Sequence, residues 1–188
     1  MLSNKDKLDK IKNQKIAVIG GGNTAMDVAR SLAKNNNVKI VYRHNLDNSP
    51  ASKKEIKGVL DSGVDVLECL APKSVIKEDD IVKGIVTSVM ELYDDGSSRL
   101  NFRKTDKEVI IDCDIIVEAT GSMCDYNYLQ KVYPTIFNES GWINVNKQFE
   151  TCILGLYVGG DLYYGPKYFN SAIHTGEEIA RDILSRKE

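Results

Sequence analysis

The sequence of 188 residues predicts an α/β fold, in which a parallel sheet is interrupted by a β-meander and followed by a carboxyl-terminal strand and helix. Three observations predict it. A strand, a glycine turn, a helix and a second strand follow one another in residues 15–44. Short β-rich runs separated by polar turns occupy about residues 74–112. An apolar run then leads to Ala119, and a glycine pair at residues 159–160 precedes a helical pattern.

The first element is an apolar strand, Ile16 to Ile19, that enters a glycine turn. Gly20, Gly22 and Ala25 occupy the G-x-G-x-x-A positions of a dinucleotide-binding turn. The first glycine lets the chain reverse, the second lets backbone amides approach a pyrophosphate, and the alanine lets helix and strand pack closely. The helix begins near Asn23, and its positive amino end favours an anion. The predicted diphosphate-binding residues are Gly20, Gly21, Gly22, Asn23 and Thr24.

The residues after the turn support this prediction. Val28, Ala29 and Leu32 recur at helical spacing, and Val38 to Tyr42 is typical of a second strand. Strand, turn, helix and strand within about thirty residues is the arrangement that a Rossmann-like dinucleotide-binding fold requires. A glycine-rich turn that only connects two elements does not need this context.

Arg43, which follows the second strand, predicts which nucleotide binds. NAD-specific sites place an acidic residue about twenty positions after the turn, where it binds the ribose 2′-hydroxyl, whereas a 2′-phosphate needs positive charge. The Arg43 guanidinium can bind a phosphate through two N–H groups, and His44 adds a donor. The sequence therefore predicts NADP(H) rather than NAD(H). The alternative is that Arg43 is an ordinary solvated charge at the end of a strand.

The following elements continue the α/β pattern. Lys53 to Asp61 can form a second helix, and Val64 to Leu67 a third strand. The runs of the meander are Ser74 to Lys77, Ile81 to Leu92 and Leu100 to Arg103, with turn signals at residues 78–80 and 94–97. Cys113 to Ala119 is typical of a fully buried strand. The sequence Ala119-Thr120-Gly121 would then lie at the carboxyl edge of the sheet, where ligands of such folds bind.

A series of motifs resembles a known family. The motifs are GGGNTAMDVARS, then VYR, then Pro50 to Glu55, Gly63-Val64 and Ala71-Pro72. From about Lys15 to Leu184, the chain resembles the small subunit of NADPH-dependent glutamate synthase. Related flavoprotein modules, such as those of dihydropyrimidine dehydrogenase and similar iron–sulfur oxidoreductases, belong to the same group. The resemblance implies that a β-meander replaces the usual crossover helix.

The resemblance also implies roles for particular residues. Arg43 with His44, and in addition Lys53 and Lys54, would contact the 2′-phosphate of NADPH. The family often has a second basic residue directly after the arginine, where this chain has His44. The turn formed by Ala119, Thr120 and Gly121 would lie close to the nicotinamide.

The carboxyl-terminal segment extends the resemblance. Residues 156–161, Leu-Tyr-Val-Gly-Gly-Asp, followed by residues 173–180, are similar to the segment that closes the FAD domain of these enzymes. The resemblance implies that Asp161 hydrogen-bonds the ribityl chain of FAD and that Gly160 allows the close approach. One apolar helical face is available from Ile173, Ile179, Ala180 and Ile183.

The chain differs from that family at its amino end. A complete enzyme has an FAD-binding glycine turn and an iron–sulfur segment before the NADPH domain, whereas here a short, largely polar segment precedes the first strand. We therefore expect residues 1–121 to form an NADP(H)-binding domain and residues 122–188 to be the remnant of an FAD domain. The expected partners are a flavin domain or subunit outside this chain, together with iron–sulfur, amidotransferase or reductase modules.

The predicted function follows from these motifs. Hydride transfer from a nicotinamide to a flavin needs stacking and orientation more than acid–base side chains, because the cofactors supply the chemistry. No residue is therefore predicted to be catalytic, and the chain is predicted to present NADPH to FAD in a flavoprotein oxidoreductase. Two alternatives remain: a stand-alone NADPH-binding regulatory module, and a self-contained dehydrogenase with its own substrate.

Composition and spacing argue against other classes. A net charge of −2 without a long basic stretch argues against nucleic acid, and the apolar runs are too short to span a membrane, so we expect a cytoplasmic protein. The four cysteines (69, 113, 124 and 152) form no C-x-x-C pair, which argues against disulfide reduction and metal ligation. Tyr163 and Lys167 have Y-x-x-x-K spacing, but the intervening Gly165 and Pro166 disfavour the helix that this motif needs.

Overall fold

The computed structural model describes residues 10–94, 96, 101–122, 124–166 and 169–186. The chain divides into two compact units, residues 1–121 and residues 122–188. That these units act as an NADP(H) domain and as the remnant of a flavin domain stays a prediction.

The first unit is built on a parallel sheet of four strands. They are β1 (Lys15–Ile19), β2 (Asn37–Val41), β3 (Asp65–Leu67) and β7 (Ile115–Glu118), in the order β3-β2-β1-β7. Helix α1 (Asn23–Leu32) connects β1 to β2, and helix α2 (Lys53–Leu60) connects β2 to β3. Ile19 pairs in register with both Val41 and Glu118, so the carboxyl ends of three strands meet at one edge. The predicted Rossmann-like arrangement is confirmed.

One face of this sheet is covered by α1. Ile16, Val18 and Ile40 point from the strands into a core that also contains apolar residues of the helix. The buried residues of α1 are Ala25, Met26, Val28, Ala29 and Leu32. Because a fully buried aliphatic side chain contributes about 1.5–3 kcal/mol, these residues stabilise the packing of α1 on the sheet.

The other face is covered by the meander, an antiparallel sheet of β4 (Leu70–Glu78), β5 (Ile81–Tyr93) and β6 (Asn101–Asp112). Since successive strand residues point to opposite faces, Ala17 and Ile19 of β1 pack on this side. They share a second core with Val41, Leu70, Ile85, Ile111 and Cys113. The predicted meander is confirmed.

The third strand of the meander is longer than the predicted run from Leu100 to Arg103. Strand β6 continues to Asp112, which pairs with Gly84 of β5. The added residues 104–108 are polar or charged and almost all exposed, so they give no apolar signal in the sequence. Of the turn signals and runs predicted here, positions 95, 97 and 100 lie outside the described residues.

Strand β7 corrects a second expectation. The predicted strand was fully buried, but Ile115, Ile116 and Val117 are only half-buried. The reason is its position, because β7 pairs with β1 alone and forms the edge of the described sheet.

The second unit contains little regular structure beyond its helices. These are α3 (Asn127–Val132), α4 (Asp161–Tyr164) and α5 (Phe169–Ser185), with a 3₁₀ turn at Pro134–Ile136. Ile136, Ile143 and Val158 form its small core. The strand expected before α5 is reduced to one isolated bridge between Glu150 and Tyr157. No helix in the described part of the chain is long and apolar enough to cross a membrane.

Candidate dinucleotide-binding site

Gly20 follows β1 directly and adopts a conformation that suits glycine. Its φ angle is 137°, and a Cβ atom there would lie 2.2 Å from the carbonyl oxygen of Ala119. Its N–H donates to the Val41 carbonyl (3.1 Å), and the Ala119 N–H donates to the Ile19 carbonyl (2.8 Å). Gly20 therefore allows the turn to pass between the ends of β2 and β7, as the glycine pattern predicts.

Gly21 is required by packing inside the protein. A Cβ atom at this position would lie 2.2 Å from the ring of Tyr42. Tyr42 is buried, its hydroxyl donates to the Asn48 carbonyl (3.1 Å), and burial raises the pKa of the phenol. The turn thus rests on an aromatic ring, a support that sequence reasoning missed.

Gly22 differs from its two neighbours because a Cβ atom there would meet no close contact. The nearest described atom to a Cβ at this position is Cγ of Pro50, at 4.0 Å. Gly22 is the N-cap residue of α1. Because glycine has no side chain, it cannot cap the free backbone N–H groups at the start of the helix. Asn23 is half-buried and Thr24 is exposed, and the first turn of α1 has no acidic residue. The end of α1 can therefore accept an anion on its positive pole.

Arg43 lies at the same edge of the sheet, two residues beyond β2. Its side chain is exposed, and no carboxylate among the described residues forms an ion pair with it. A guanidinium held at a strand end without a partner suits a bidentate contact with a phosphate.

His44 is more constrained than the sequence suggested. Its ring stacks on Phe102 of β6 with the centroids 4.6 Å apart, and it meets Tyr42 edge-on at 5.5 Å. Burial, and secondarily the positive charge of Arg43, lowers the pKa of His44. These effects favour the neutral imidazole, which can donate one N–H to a phosphate.

Lys53 and Lys54 occupy the first two positions of α2. Both are exposed, and no described carboxylate pairs with them. Ser52 caps the helix, because its Oγ accepts a hydrogen bond from the Glu55 N–H at 3.3 Å. Cations at the positive end of a helix are unfavourable by about 0.3–1 kcal/mol each, which a bound phosphate would offset.

The turn after β7 is brought beside the glycine turn. Ala119 is half-buried against Gly20, whereas Thr120 and Gly121 are exposed at the carboxyl edge of the sheet. The structure thus gathers Gly20 to Thr24, Arg43, His44, Lys53, Lys54 and Ala119 to Gly121 within the first unit. Their contact with a nucleotide stays a prediction.

Gly160 and Asp161 belong to the second unit. Gly160 has φ 60° and ψ −142°, and its N–H donates to Oγ1 of Thr175 at 2.8 Å. A Cβ on Gly160 would lie 3.5 Å from Ala172 of α5, an ordinary contact distance, so the positive φ angle is what favours glycine here. Asp161 begins α4 with its side chain exposed. These residues fit a flavin in part: the carboxylate can accept from a hydroxyl, but the Gly160 amide already has an acceptor.

Other motif residues do not gather into a site. His174 is exposed on α5, and Lys167 of the Y-x-x-x-K pattern lies outside the described residues. All four cysteines are free, and burial raises the pKa of the Cys113 thiol. No cluster of metal-ligating side chains occurs in the part of the chain that the structure describes.

Fold and site together define a Rossmann-like dinucleotide-binding unit. The model of the pyridine nucleotide-disulphide oxidoreductase family matches residues 2–176 of this chain. The chain therefore belongs to that family.

Two curated relatives share modest identity with the chain. The NADP(+)-dependent formate dehydrogenase subunit beta of Moorella thermoacetica is 29% identical over 96% of this chain and 26% of its own length. The glutamate synthase [NADPH] small chain of Halomonas elongata is 28% identical over 93% of this chain and 38% of its own length. The predicted resemblance to the glutamate synthase small subunit is confirmed, and the chain spans well under half of either relative.

Among solved structures, the crystal structure of T. acidophilum thioredoxin reductase is similar. The TM-score is 0.77 at 19% sequence identity, over 99% of this chain and 56% of that one. Identity at this level shows a shared fold.

Proposed function

We propose that this chain binds NADPH and orients its nicotinamide toward a flavin held mostly by residues outside the chain. The flavin would pass the electrons on to a partner domain or subunit, in a glutamate synthase-like arrangement. In this role the chain is the nicotinamide-binding part of a larger oxidoreductase.

The observation that supports the proposal most directly is the surroundings of Gly22. Gly20 and Gly21 are explained by contacts with Ala119 and Tyr42, but at position 22 a Cβ atom would meet only Cγ of Pro50, at 4.0 Å, which does not require glycine. A diphosphate lying against the amino end of α1 gives this position a reason, because only a residue without a side chain lets it approach the amides.

Charge supports NADPH over NADH. Arg43, Lys53 and Lys54 are exposed cations without a described carboxylate partner, and they flank the segment that follows β2. By contrast, Arg30 of α1 is paired with Asp27 at 2.7 Å and with Glu55 at 3.1 Å. The names of both curated relatives include NADP(+) or NADPH.

An FAD, when bound, would supply the hydride acceptor. The protein groups proposed to serve it from this chain are the Ala119 to Gly121 turn, which would border the nicotinamide, and Asp161, which would accept from the ribityl chain. The Gly160 amide is engaged by Thr175, so this chain offers only a fraction of a flavin site.

The exposed face of α5 supports a partner for the second unit. Four large apolar residues repeat along this helix and remain exposed: Phe169 (75%), Ile173 (54%), Ile183 (40%) and Leu184 (65%). Apolar residues in such a stripe are normally buried against another element. We propose that the flavin-binding part of the oxidoreductase covers it.

Replacing Arg43 tests the nucleotide assignment. We expect Arg43→Glu to weaken NADPH binding by about 30- to 100-fold, since charge-assisted bonds to the phosphate are lost. NADH binding should change by less than about threefold, because NADH has no 2′-phosphate. Isothermal titration of both nucleotides measures the difference.

The matched control is Arg181→Glu, which makes the same charge change on exposed α5. It should leave both affinities unchanged. Equal NADPH binding by Arg43→Glu and the unchanged protein would refute the nucleotide assignment. Stoichiometric FAD binding by the chain alone would refute the claim that most of the flavin site lies outside it.

A further inference from the structure

Residues 45–52, which connect β2 to α2, are fastened to the glycine turn; we call them the latch segment. The Ser49 Oγ donates to the Gly21 carbonyl at 2.6 Å and accepts from the Ala51 N–H at 3.1 Å. The Ser52 N–H donates to Oδ1 of Asn23 at 2.9 Å. Two points of the latch segment are therefore bonded to residues that the proposed diphosphate would contact.

We propose that this latch determines the preference for NADP(H), by holding the cations at the start of α2 at a fixed distance from the diphosphate turn. Ser49 and the Asn23 side chain are its positioning residues. This inference rests on the proposed function, because it concerns how the same site distinguishes two nucleotides.

The latch segment is placed to do this by its position in the chain. Arg43 precedes it and Lys53 follows it, so the proposed phosphate-binding cations stand at its two ends. Apart from a 3₁₀ turn at Leu46–Asn48, the segment has no regular secondary structure to fix its path. The geometry of the segment therefore depends on hydrogen bonds that involve side chains. In its carboxyl-terminal half, the bonds of Ser49 and Ser52 join it to the glycine turn.

The amino-terminal half of the segment is held independently. The Tyr42 hydroxyl donates to the Asn48 carbonyl (3.1 Å), and the Leu46 N–H donates to Oε2 of Glu68 (2.5 Å). Arg43 is thereby fixed without Ser49 or Asn23. Loss of the latch should release mainly the residues near Lys53 and leave the strand-end arginine in place.

Helix α2 is also joined to α1 by an ion pair. Arg30 pairs with Glu55 at 3.1 Å, about one turn from the Asn23–Ser52 bond. This pair and the buried Ala51 keep α2 docked when a latch bond is removed. We therefore expect latch variants to stay folded while the first turn of α2 gains freedom.

The consequence for binding is selective. NADH would contact the diphosphate turn but has no phosphate for the cations, whereas NADPH would contact both. Ordering a mobile cation on binding costs free energy that a preorganised one avoids. Loss of a latch hydrogen bond should therefore weaken NADPH binding and leave NADH binding nearly unchanged.

The experiment is isothermal titration of NADP⁺ and NAD⁺ into the full chain and its variants. For Ser49→Ala, we expect the ratio of NAD⁺ to NADP⁺ dissociation constants to fall about fivefold, the equivalent of one hydrogen bond. Ser49→Thr keeps the hydroxyl and should restore the ratio of the unchanged protein. Ser49 lies outside the proposed diphosphate contacts, so its replacement should leave NAD⁺ binding nearly unchanged.

Asn36→Ala is the matched control. Asn36 is also a half-buried asparagine that bonds backbone groups, donating to the Ile11 and Leu32 carbonyls at 3.0 and 2.9 Å, but it lies beyond the other end of α1. Its replacement should lower stability and leave the selectivity ratio unchanged.

The outcomes separate the latch from the proposed function. If the unchanged protein prefers NADP⁺ and Ser49→Ala keeps that preference, the latch is refuted and the function stands. If Ser49→Ala weakens the binding of both nucleotides equally, Ser49 has a merely structural role, and the latch is also refuted. If the unchanged protein shows no preference for NADP⁺, both ideas fail.

Discussion

Two glycine turns in this chain each precede a helix, and they differ in what surrounds the glycines. In the turn before α1, a Cβ on Gly20 or Gly21 would clash with the protein, whereas one on Gly22 would lie 4.0 Å from Cγ of Pro50. In the turn before α4, a Cβ on Gly159 would lie 2.9 Å from Thr175 Oγ1, and one on Gly160 would face Ala172. The first turn has a glycine that no internal contact requires, whereas contact with α5 explains Gly159 and a φ angle of 60° explains Gly160.

The helices that follow the two turns also differ, in length and in how much of their apolar surface is buried. Helix α1 has ten residues and buries all its large apolar side chains, so its amino end is fixed by the core. Helix α4 has only four residues, and the longer α5 buries Thr175 but leaves Phe169 and Leu184 exposed. A site needs a rigid support. The first turn has one within its own unit, whereas the helix that follows the second turn has only four residues.

The largest expected effect is the loss of stability when a glycine of the first turn is replaced. Gly20→Ala places a Cβ where the Ala119 carbonyl lies, at a φ angle that alanine rarely adopts, so we expect a loss of about 3 kcal/mol or more in the free energy of unfolding. Urea denaturation measures it. Gly22→Ala is the control, because position 22 has space and φ −87°.

Gly22→Ala should change the free energy of unfolding by less than about 1 kcal/mol. In the same protein, NADPH affinity should fall at least about tenfold, because the new methyl group lies where the diphosphate would approach. A stable Gly22→Ala protein with unchanged NADPH affinity would remove the distinction between the two turns.

A smaller effect is expected at the second turn. Thr175 is 1% exposed, its hydroxyl accepts the Gly160 N–H, and it donates to the Ala172 carbonyl at 2.9 Å. Thr175→Val leaves the Gly160 N–H without its acceptor and should destabilise the second unit by about 1–3 kcal/mol. Hydrogen exchange at the Gly160 amide should accelerate accordingly. Thr175→Ser, which keeps the hydroxyl, should exchange at nearly the original rate.

The smallest expected effect concerns a pH-dependent ion pair in the second unit. Arg186 donates to both carboxylate oxygens of Glu150, at 2.8 and 2.7 Å, and these bonds, with the Gly155 N–H, lower the pKa of Glu150. A carboxylate with a lowered folded-state pKa stabilises the fold above its unfolded-state pKa, about 4.3, and this contribution is lost as pH falls through the folded-state value.

Glu150→Gln should therefore lower the urea midpoint of unfolding at pH 7, and the difference from the unchanged protein should narrow as the pH falls below about 4.3. The exposed Glu139 serves as the control, since Glu139→Gln should produce no difference at pH 7 or at pH 3. A difference for Glu150→Gln that persists undiminished at pH 3 would contradict the ion-pair explanation.

The meander and β7 show where sequence reasoning stopped. Residues 104–108 of β6 are polar because they face solvent, so apolar periodicity underestimated the strand. The run Ile115-Ile116-Val117 is apolar enough for a central strand, yet β7 lies at the sheet edge. Apolar patterning reports which residues avoid water in the final fold, and it does not report how many neighbours a strand has.

The sequence by itself determined the first strand, the glycine turn, α1, β2 and the cation at position 43. These features depend on residues within about thirty positions, where glycine conformation, helical spacing and strand propensity act locally. Only the tertiary structure decided that Tyr42 supports Gly21, that Ser49 bonds the Gly21 carbonyl, and that His44 stacks on Phe102. Such contacts join residues 20 to 60 positions apart, and their partners are fixed by how the layers pack, which no local pattern encodes.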